Sequence, residues 1–214
     1  MAVYPVNLNI EGKPCAVIGG GKVAYRKVKA LLKAKANVTV ISPMLVDELT
    51  QLVEQAAIMH SAKVYSRGDL NVYFLVICAT DHSEVNQKAA LEAKKAGALV
   101  NIVDDESYSD FIVPAQVSRG DLLFTVSTGG KSPALARQLR AELADTYGME
   151  YEMYLDLVAR IRSELKENLR TSQERGEFWE KAMNQNILDL LRQGKLNEAE
   201  ARIKDAIGSI GSES

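Results

Sequence analysis

The feature that most constrains the fold is a glycine-rich turn between a short apolar run and an amphipathic segment. Residues 15–18 are apolar, Gly19-Gly20-Gly21-Lys22-Val23-Ala24 follows, and apolar residues then recur at helical spacing to about residue 34. A strand, this turn and a helix form the G-x-G-x-x-A fingerprint, in which the second small residue lets a pyrophosphate approach the backbone. The helix N-terminus then faces the negative charge. The sequence therefore predicts a dinucleotide site, with an ordinary strand-to-helix turn as the alternative.

Strand-like and helix-like segments alternate along the first half of the chain. Apolar and β-branched runs predict strands over residues 15–18, 38–41, 63–65, 73–79 and 99–103. Helical spacing predicts helices over residues 23–34, 47–57 and 81–96. This order predicts an α/β fold with a Rossmann-type parallel sheet and helices on both faces.

The pattern changes after about residue 110. Two strand-like runs, 111–117 and 122–127, flank Arg119-Gly120-Asp121 and predict a hairpin, and residues 133–147 predict a helix. Beyond Gly148 strand signals end and apolar residues keep helical spacing. We therefore predict a dinucleotide-binding domain over 1–112, a small α+β region over 113–147 and an all-α C-terminal domain over 148–214.

Composition excludes several classes of function. The net charge of −2 gives no overall basic field for nucleic acid. No apolar run approaches the roughly 20 residues of a membrane helix, and the start lacks the pattern of a signal peptide. The two cysteines, Cys15 and Cys78, predict buried reduced thiols, and two distant histidines make a resident metal site unexpected. We therefore expect a cytoplasmic protein without a bound metal.

The ends of the second and fourth predicted strands bear on the cofactor. Ser42-Pro43-Met44 stands where an acidic residue usually binds the ribose of NAD. Because no lysine or arginine is there to bind a 2′-phosphate, NAD remains favoured over NADP, with Ser42 as a hydroxyl for the ribose. Thr80 and Asp81 follow the fourth strand beside the same crevice, although Asp81 also suits a helix N-cap.

Two further groups of residues suggest chemistry. Asp104 follows the fifth predicted strand, where a carboxylate can act as a general base, or can simply bond to turn amides. Ser127-Thr128-Gly129-Gly130-Lys131-Ser132-Pro133 is a second glycine-rich segment that leads into a helix carrying Arg137 and Arg140. It predicts either an anion site or a capped helix with solvated arginines.

Taken together, the motifs resemble the precorrin-2 dehydrogenase and sirohydrochlorin ferrochelatase family, including the N-terminal module of siroheme synthases. The resemblance covers about residues 3–145 in order. It rests on Tyr4-Pro5-Val6, Val17-Ile18-Gly19-Gly20-Gly21-Lys22-Val23-Ala24, Arg26-Lys27, Ala79-Thr80-Asp81, Asn86, Asn101-Ile102-Val103-Asp104, Phe111-Ile112-Val113-Pro114, and Ser127-Thr128-Gly129-Gly130-Lys131-Ser132-Pro133-Ala134-Leu135-Ala136-Arg137.

The resemblance implies a homodimer that oxidises precorrin-2 to sirohydrochlorin with NAD during siroheme biosynthesis. It implies that Asp104 is the general base, that Lys22, Val23, Pro43 and Met44 contact NAD, and that 113–147 takes part in dimerisation. The family also tolerates the missing ribose acid. Some members insert Fe²⁺ or Co²⁺ into the product, and the sequence leaves open whether this chain does. Thr128 stands where some relatives have serine, so regulatory phosphorylation is not carried over.

The substrate is a reduced tetrapyrrole polycarboxylate, which needs cations and amide donors. We assign it to Ser127, Thr128, Gly129, Gly130, Lys131 and Arg137. The alternative is a non-catalytic NAD-sensing module whose helical tail binds a partner. Asp104 and the second glycine-rich segment favour the enzyme.

Overall fold

The first half of the chain forms the predicted parallel sheet. The structure, a computed structural model, describes residues 3–165 and 185–208. The chain divides into two compact units, Met1–Val113 and Pro114–Ser214. In the first unit the strands pair in parallel in the order β3-β2-β1-β4-β5. They are β1 (Pro14–Ile18), β2 (Asn37–Ile41), β3 (Met59–Ser61), β4 (Leu75–Cys78) and β5 (Leu99–Ile102). The predicted Rossmann-type fold is confirmed.

Three helices cover the two faces of this sheet. They are α1 (Lys22–Lys33), α2 (Asp47–Glu54) and α3 (Ser83–Lys95). One core packs β1 and β2 against α1 and α2 through residues such as Val17, Val28 and Leu49. The other packs the opposite sheet face against the alanines of α3. Burial on both faces explains why β1 and β4 are continuous apolar runs.

Both cysteines lie in these cores as free thiols. Cys15 and Cys78 are fully buried. Burial raises the pKa of Cys15 to about 11 and that of Cys78 to about 12, because a thiolate would lose its hydration. Both side chains are therefore neutral apolar groups at neutral pH.

The predicted third strand was wrong. Met59-His60-Ser61 pairs with β2, whereas residues 63–65 belong to the loop that follows. The β-branched and aromatic pair Val64-Tyr65 suggested a strand, but pairing with β2 already ends at Ser61, and the Lys63 amide turns back to the Ser61 carbonyl at 2.8 Å. Propensity alone does not locate so short an edge strand.

The second unit begins with a two-stranded hairpin and a helix. The strands β6 (Ala115–Arg119) and β7 (Leu122–Val126) are antiparallel, and α4 spans Pro133–Thr146. The guanidinium of Arg119 donates to the carbonyls of Ala144 at 2.9 Å and Tyr147 at 2.8 Å, so it caps the end of α4. The predicted strand over residues 111–117 was wrong in its bounds, because β6 runs from Ala115 to Arg119 and Arg119 ends a strand rather than lying in the turn.

The rest of the second unit is helical in the described residues. The helices α5 (Glu150–Leu165), α6 (Gln185–Arg192) and α7 (Leu196–Gly208) share one core that includes Leu157, Ile161 and Ile203. Glu150, 9% exposed, binds Arg192 at 2.8 Å and so links α5 to α6. Among the described residues, no helix combines the length and the hydropathy that a membrane-spanning segment needs. The boundary that we predicted at residues 147 and 148 stays a prediction.

All three helices of the first unit end in the same hydrogen-bonded motif, with Lys35, Ala56 and Gly97 at its left-handed position. At the end of α3, Gly97 has φ +85° and Ala98 donates to the Ala93 carbonyl at 2.9 Å. At the end of α2, Ala56 has φ +53° and Ala57 donates to the Leu52 carbonyl at 2.9 Å. An L-residue is strained there, whereas glycine is not.

We therefore expect Ala56→Gly to raise the free energy of unfolding by about 0.5–1 kcal/mol, since relief of strain exceeds the entropy that glycine loses. Gly97→Ala is the matched reverse change, and its added Cβ would meet no atom within 4 Å, so it should cost about 1 kcal/mol from strain alone. Urea unfolding of both variants measures the difference. A less stable Ala56→Gly protein would contradict the argument.

Candidate functional site

A cleft of about 720 Å³ opens at the carboxyl ends of β1, β2 and β4. In open parallel sheets this is the edge where ligands bind. The ten residues that the sequence predicted for the cofactor all line it: Gly19, Gly20, Gly21, Lys22, Val23, Ser42, Pro43, Met44, Thr80 and Asp81. Three distant segments of the chain thus meet in one cavity. Their contacts with a cofactor stay a prediction.

The three glycines of the turn have different steric surroundings. A Cβ on Gly19, which has φ +114°, would collide with the carbonyl of Ala79, and one on Gly20 would collide with the carbonyl of Met44. Gly19 and Gly20 are therefore needed for backbone segments to pack together. A Cβ on Gly21 would meet no atom within 4 Å. The open space at Gly21 fits a pyrophosphate that approaches the backbone.

The first turn of α1 offers an uncompensated positive end. Gly21 is its N-cap, no described side chain caps it, and its first turn holds no acidic residue. The free amides and the helix dipole therefore favour an anion at this point. Lys22, the first residue of the helix, is exposed beside it.

The hydroxyl of Ser42 is already used inside the protein. Ser42 is 7% exposed, and its Oγ donates to the Met44 carbonyl at 2.7 Å. Its own carbonyl oxygen lies 2.9 Å from Nε2 of His60. These bonds fix the turn after β2. The Oγ can still accept a hydrogen bond from a ribose hydroxyl, but its proton is committed to Met44.

The turn after β4 is held by a buried amide. Asn86, 6% exposed, donates from Nδ2 to the Thr80 carbonyl at 2.9 Å and accepts from Thr80 Oγ1 at 2.7 Å. The interpretation of Asp81 as the helix N-cap was wrong, because α3 begins at Ser83 and His82 is its N-cap. The Thr80–Asn86 bonds and the bond from the His82 amide to Thr80 Oγ1 at 3.2 Å fix the bend at Asp81, which is exposed at the cleft.

Nine residues that line the cleft were not predicted as site residues, and four of them come from parts of the chain away from the glycine turn and the strand ends. Val64 and Tyr65 come from the loop after β3, and His82 and Val85 from the start of α3. The first pair was missed because its residue types indicated a strand. An apolar wall beside a glycine turn is typical of a pocket for a nucleotide base.

Asp104 lies in a tight turn directly after β5. It is exposed and has φ +63°, and the Asp105 amide donates back to the Ile102 carbonyl at 3.3 Å. Burial and the neighbouring Arg26 lower the pKa of Lys27, and the nearby Asp104 carboxylate partly opposes them. The charges of Asp104 and Lys27 of α1 therefore interact, although Asp104 is not among the residues that line the cleft.

In the segment before α4, several backbone amides already donate to side-chain oxygens of the same segment. Ser132 caps α4, since its Oγ accepts from the Leu135 amide at 3.2 Å. The amide of Ser132 donates to Thr128 Oγ1 at 3.1 Å, and that of Gly129 donates to Ser127 Oγ at 3.3 Å. Lys131, Arg137 and Arg140 are exposed. The predicted helix cap is confirmed, and the exposed cations are the better candidates for binding an anion.

The described residues contain no group of three or more histidine, cysteine, aspartate or glutamate side chains placed to hold a metal ion.

Three family models match this chain, one in each of its three predicted regions. Residues 6–115 match the sequence model of a putative NAD(P)-binding family, 119–146 that of the sirohaem biosynthesis protein central region, and 151–207 that of the sirohaem synthase dimerisation region. A siroheme synthase of Nitrosococcus oceani is 37% identical over 207 residues, which cover 97% of this chain and 44% of the relative. One of Methylobacillus flagellatus is 36% identical over 211 residues, covering 99% and 45%.

The chain thus spans less than half the length of these relatives. A solved structure named SirC, precorrin-2 dehydrogenase, superposes with a TM-score of 0.77 at 26% identity, covering 95% of this chain and 100% of that one. The chain belongs to the putative NAD(P)-binding family, and the resemblance to the N-terminal module of siroheme synthases is confirmed.

Proposed function

We propose that this chain is an NAD-dependent dehydrogenase that oxidises precorrin-2 to sirohydrochlorin in siroheme biosynthesis. The observation that carries the proposal is the cleft in which Gly21 presents open backbone beside the uncapped N-terminus of α1. The likeness to SirC and to siroheme synthases supports the choice of substrate.

The cleft would hold the cofactor by its pyrophosphate at Gly21 and the first amides of α1. Bound NAD supplies the hydride acceptor. At the end of β2, the position where NADP enzymes bind a 2′-phosphate carries Ser42, Pro43 and Met44 rather than a cation. The nearby Lys63 is paired with Asp69 at 2.6 Å. These features support NAD rather than NADP.

The side chains of the protein must also bind the carboxylates of precorrin-2 and accept the proton that its oxidation releases. Lys131 and Arg137 are exposed cations that can pair with substrate carboxylates, whereas much of the backbone before α4 is already hydrogen-bonded. Asp104 is an exposed carboxylate held in a defined turn, which suits a general base. Oxidation of the substrate releases a hydride and a proton, and Asp104 would accept the proton.

Insertion of Fe²⁺ or Co²⁺ into the product is a second candidate activity. The same exposed carboxylate favours it, because pyrrole nitrogens must lose protons as the metal enters. The metal would be a substrate that passes through the site. A cytoplasmic location belongs to the same proposal and is supported by the two free, buried cysteines, Cys15 and Cys78.

A homodimer formed mainly through the region around residues 111–147 completes the proposal. The residues of α4 are all at least partly exposed in the described part of the chain, with Leu135 at 45% and Leu139 at 36%. The helices α5, α6 and α7 instead bury their apolar residues in a core of their own. The match of residues 151–207 to a dimerisation region supports the dimer, although that match lies outside α4. The exposed leucines of α4 are what supports an interface around residues 111–147.

The direct test mixes protein, NAD and precorrin-2, and follows both NADH formation and the absorbance of sirohydrochlorin. Formation of both products in equal amounts is the expected result. Protein that binds NAD but forms neither product would favour the non-catalytic sensor.

For the cofactor site, we expect Gly21→Asp to abolish NAD binding, because the new carboxylate would occupy and repel the pyrophosphate position. Gly21→Ala should fold normally, since its Cβ meets no atom within 4 Å, yet bind NAD more weakly. Calorimetry with NAD measures both. Unchanged affinity in a folded Gly21→Asp protein would refute this site.

For the dimer, we expect the double variant Leu135→Glu/Leu139→Glu to shift the mass from dimer to monomer in light scattering at micromolar concentration. Leu91→Glu is the matched control, because Leu91 is 57% exposed on α3 in the other unit. A monomeric wild-type protein, or a double variant that remains dimeric, would contradict this interface.

To test Asp104 as the general base, Asp104→Asn removes the carboxylate and keeps the turn, because asparagine tolerates the left-handed backbone at φ +63°. We expect it to slow NADH formation and to remove metal insertion if the wild type has that activity. A positioned base contributes about 10²–10⁴-fold. The two reactions are measured separately, with melting curves as the folding control. Wild-type rates for both would show that Asp104 only forms a turn.

A further inference from the structure

The carboxylate of Glu92, on α3, is the common acceptor for the loop after β3. It accepts from the Tyr65 hydroxyl at 2.7 Å, from the Leu70 amide at 2.9 Å and from the Gly68 amide at 3.0 Å. Leu70 is fully buried in the core beneath this loop. A single side chain therefore ties the loop to the body of the sheet at three points.

The protonation states of Tyr65 and Glu92 are the ones that these hydrogen bonds require. Burial raises the pKa of Tyr65, and its bond to Glu92 raises it further. Burial alone would raise the pKa of Glu92, but the bonds from Tyr65, Leu70 and Gly68 outweigh it and lower that pKa. A neutral phenol and an ionised carboxylate are thus present at neutral pH. A carboxylate can accept from every one of these donors, whereas a glutamine amide would place its own donor among them.

A second pair of contacts braces the loop independently of Glu92. Lys63 binds Asp69 at 2.6 Å, and the Ser66 amide donates to the same carboxylate at 2.9 Å. The loop backbone is therefore held from two sides. Loss of the Tyr65–Glu92 bond alone would mainly free the Tyr65 ring.

The Tyr65 ring has space into which it can move. The ring lines the main cleft, and a second groove of about 550 Å³ shares Tyr65 and Val85 with that cleft. The ring is therefore not confined by packing on every side. Its hydrogen bond to Glu92 selects one orientation.

The strand order shows which part of a dinucleotide Tyr65 faces. The loop follows β3, which lies beyond β2 on one side of the glycine turn, whereas Asp104 follows β5 on the other side. The end of β2 is where such folds hold the adenosine ribose. Tyr65 is thus at the adenosine end of the cleft, on the opposite side of the glycine turn from Asp104.

We propose that the Tyr65 ring contacts the adenosine half of the bound dinucleotide, and that Glu92 is the positioning residue that fixes this ring. The inference rests on the proposed function for the presence of the dinucleotide, but it assigns two residues that the glycine fingerprint does not include. Aromatic contact with a base contributes affinity without taking part in the chemistry.

The first test compares Tyr65→Leu with Tyr73→Leu. Both tyrosines pack on the same core, but Tyr73 does not line the cleft, so its variant controls for loss of an aromatic ring. We expect Tyr65→Leu to weaken binding of NAD and of ADP-ribose about five- to tenfold in calorimetry. Tyr73→Leu should leave both affinities unchanged.

The second test is a double-mutant cycle. Tyr65→Phe and Glu92→Gln should each weaken NAD binding by a smaller, similar factor, and the double variant should lose no more than either single variant. A purely structural role for Glu92 would lower the unfolding midpoint without this coupling in affinity.

Wild-type NAD affinity in a folded Tyr65→Leu protein would overturn the inference while leaving the proposed function intact. Equal loss in Tyr73→Leu, or additive losses in the cycle, would also overturn it. A wild-type protein that binds no NAD would overturn both, which keeps the two failures distinguishable.

Discussion

The close approach of three backbone segments at the glycine turn is the constraint on which the site depends. The turn after β1 packs against the carbonyl of Ala79 after β4 and that of Met44 after β2, at distances that leave no room for a Cβ on Gly19 or Gly20. The Val46 amide also donates to the Gly20 carbonyl at 2.9 Å. Because the strand ends are brought so near, Gly21 and the first turn of α1 face one common cleft.

The cleft is then shaped by polar side chains that bind backbone rather than solvent. Asn86 holds the turn after β4, Ser42 the turn after β2, and Glu92 the loop after β3. Each one satisfies buried or half-buried groups that would otherwise be left without partners, which is costly in a site of low dielectric. These residues give the cavity fixed walls, which is what selective binding of a dinucleotide requires.

The second unit differs in how it uses its apolar residues. The helices α5, α6 and α7 bury theirs in a shared core, whereas α4 leaves Leu135 and Leu139 exposed beside the hairpin. Apolar side chains at i and i+4 form one continuous stripe on a helix. A stripe of this kind is stabilised by a partner surface, which is the physical reason for the proposed dimer.

Local patterns along the chain were enough to predict the parallel sheet, the glycine turn and the residues at three strand ends. These features depend on the spacing of apolar residues and on glycines that this backbone turn requires. The local patterns did not determine the edge strand at Met59–Ser61, the helix start at Ser83 or the wall formed by Val64 and Tyr65. Those depend on pairing and on long-range bonds such as Tyr65–Glu92, which join residues far apart in the chain. The folded structure is needed to find them, because the packing of whole helices and strands sets which side chains meet, and such partnerships leave no local pattern in the sequence.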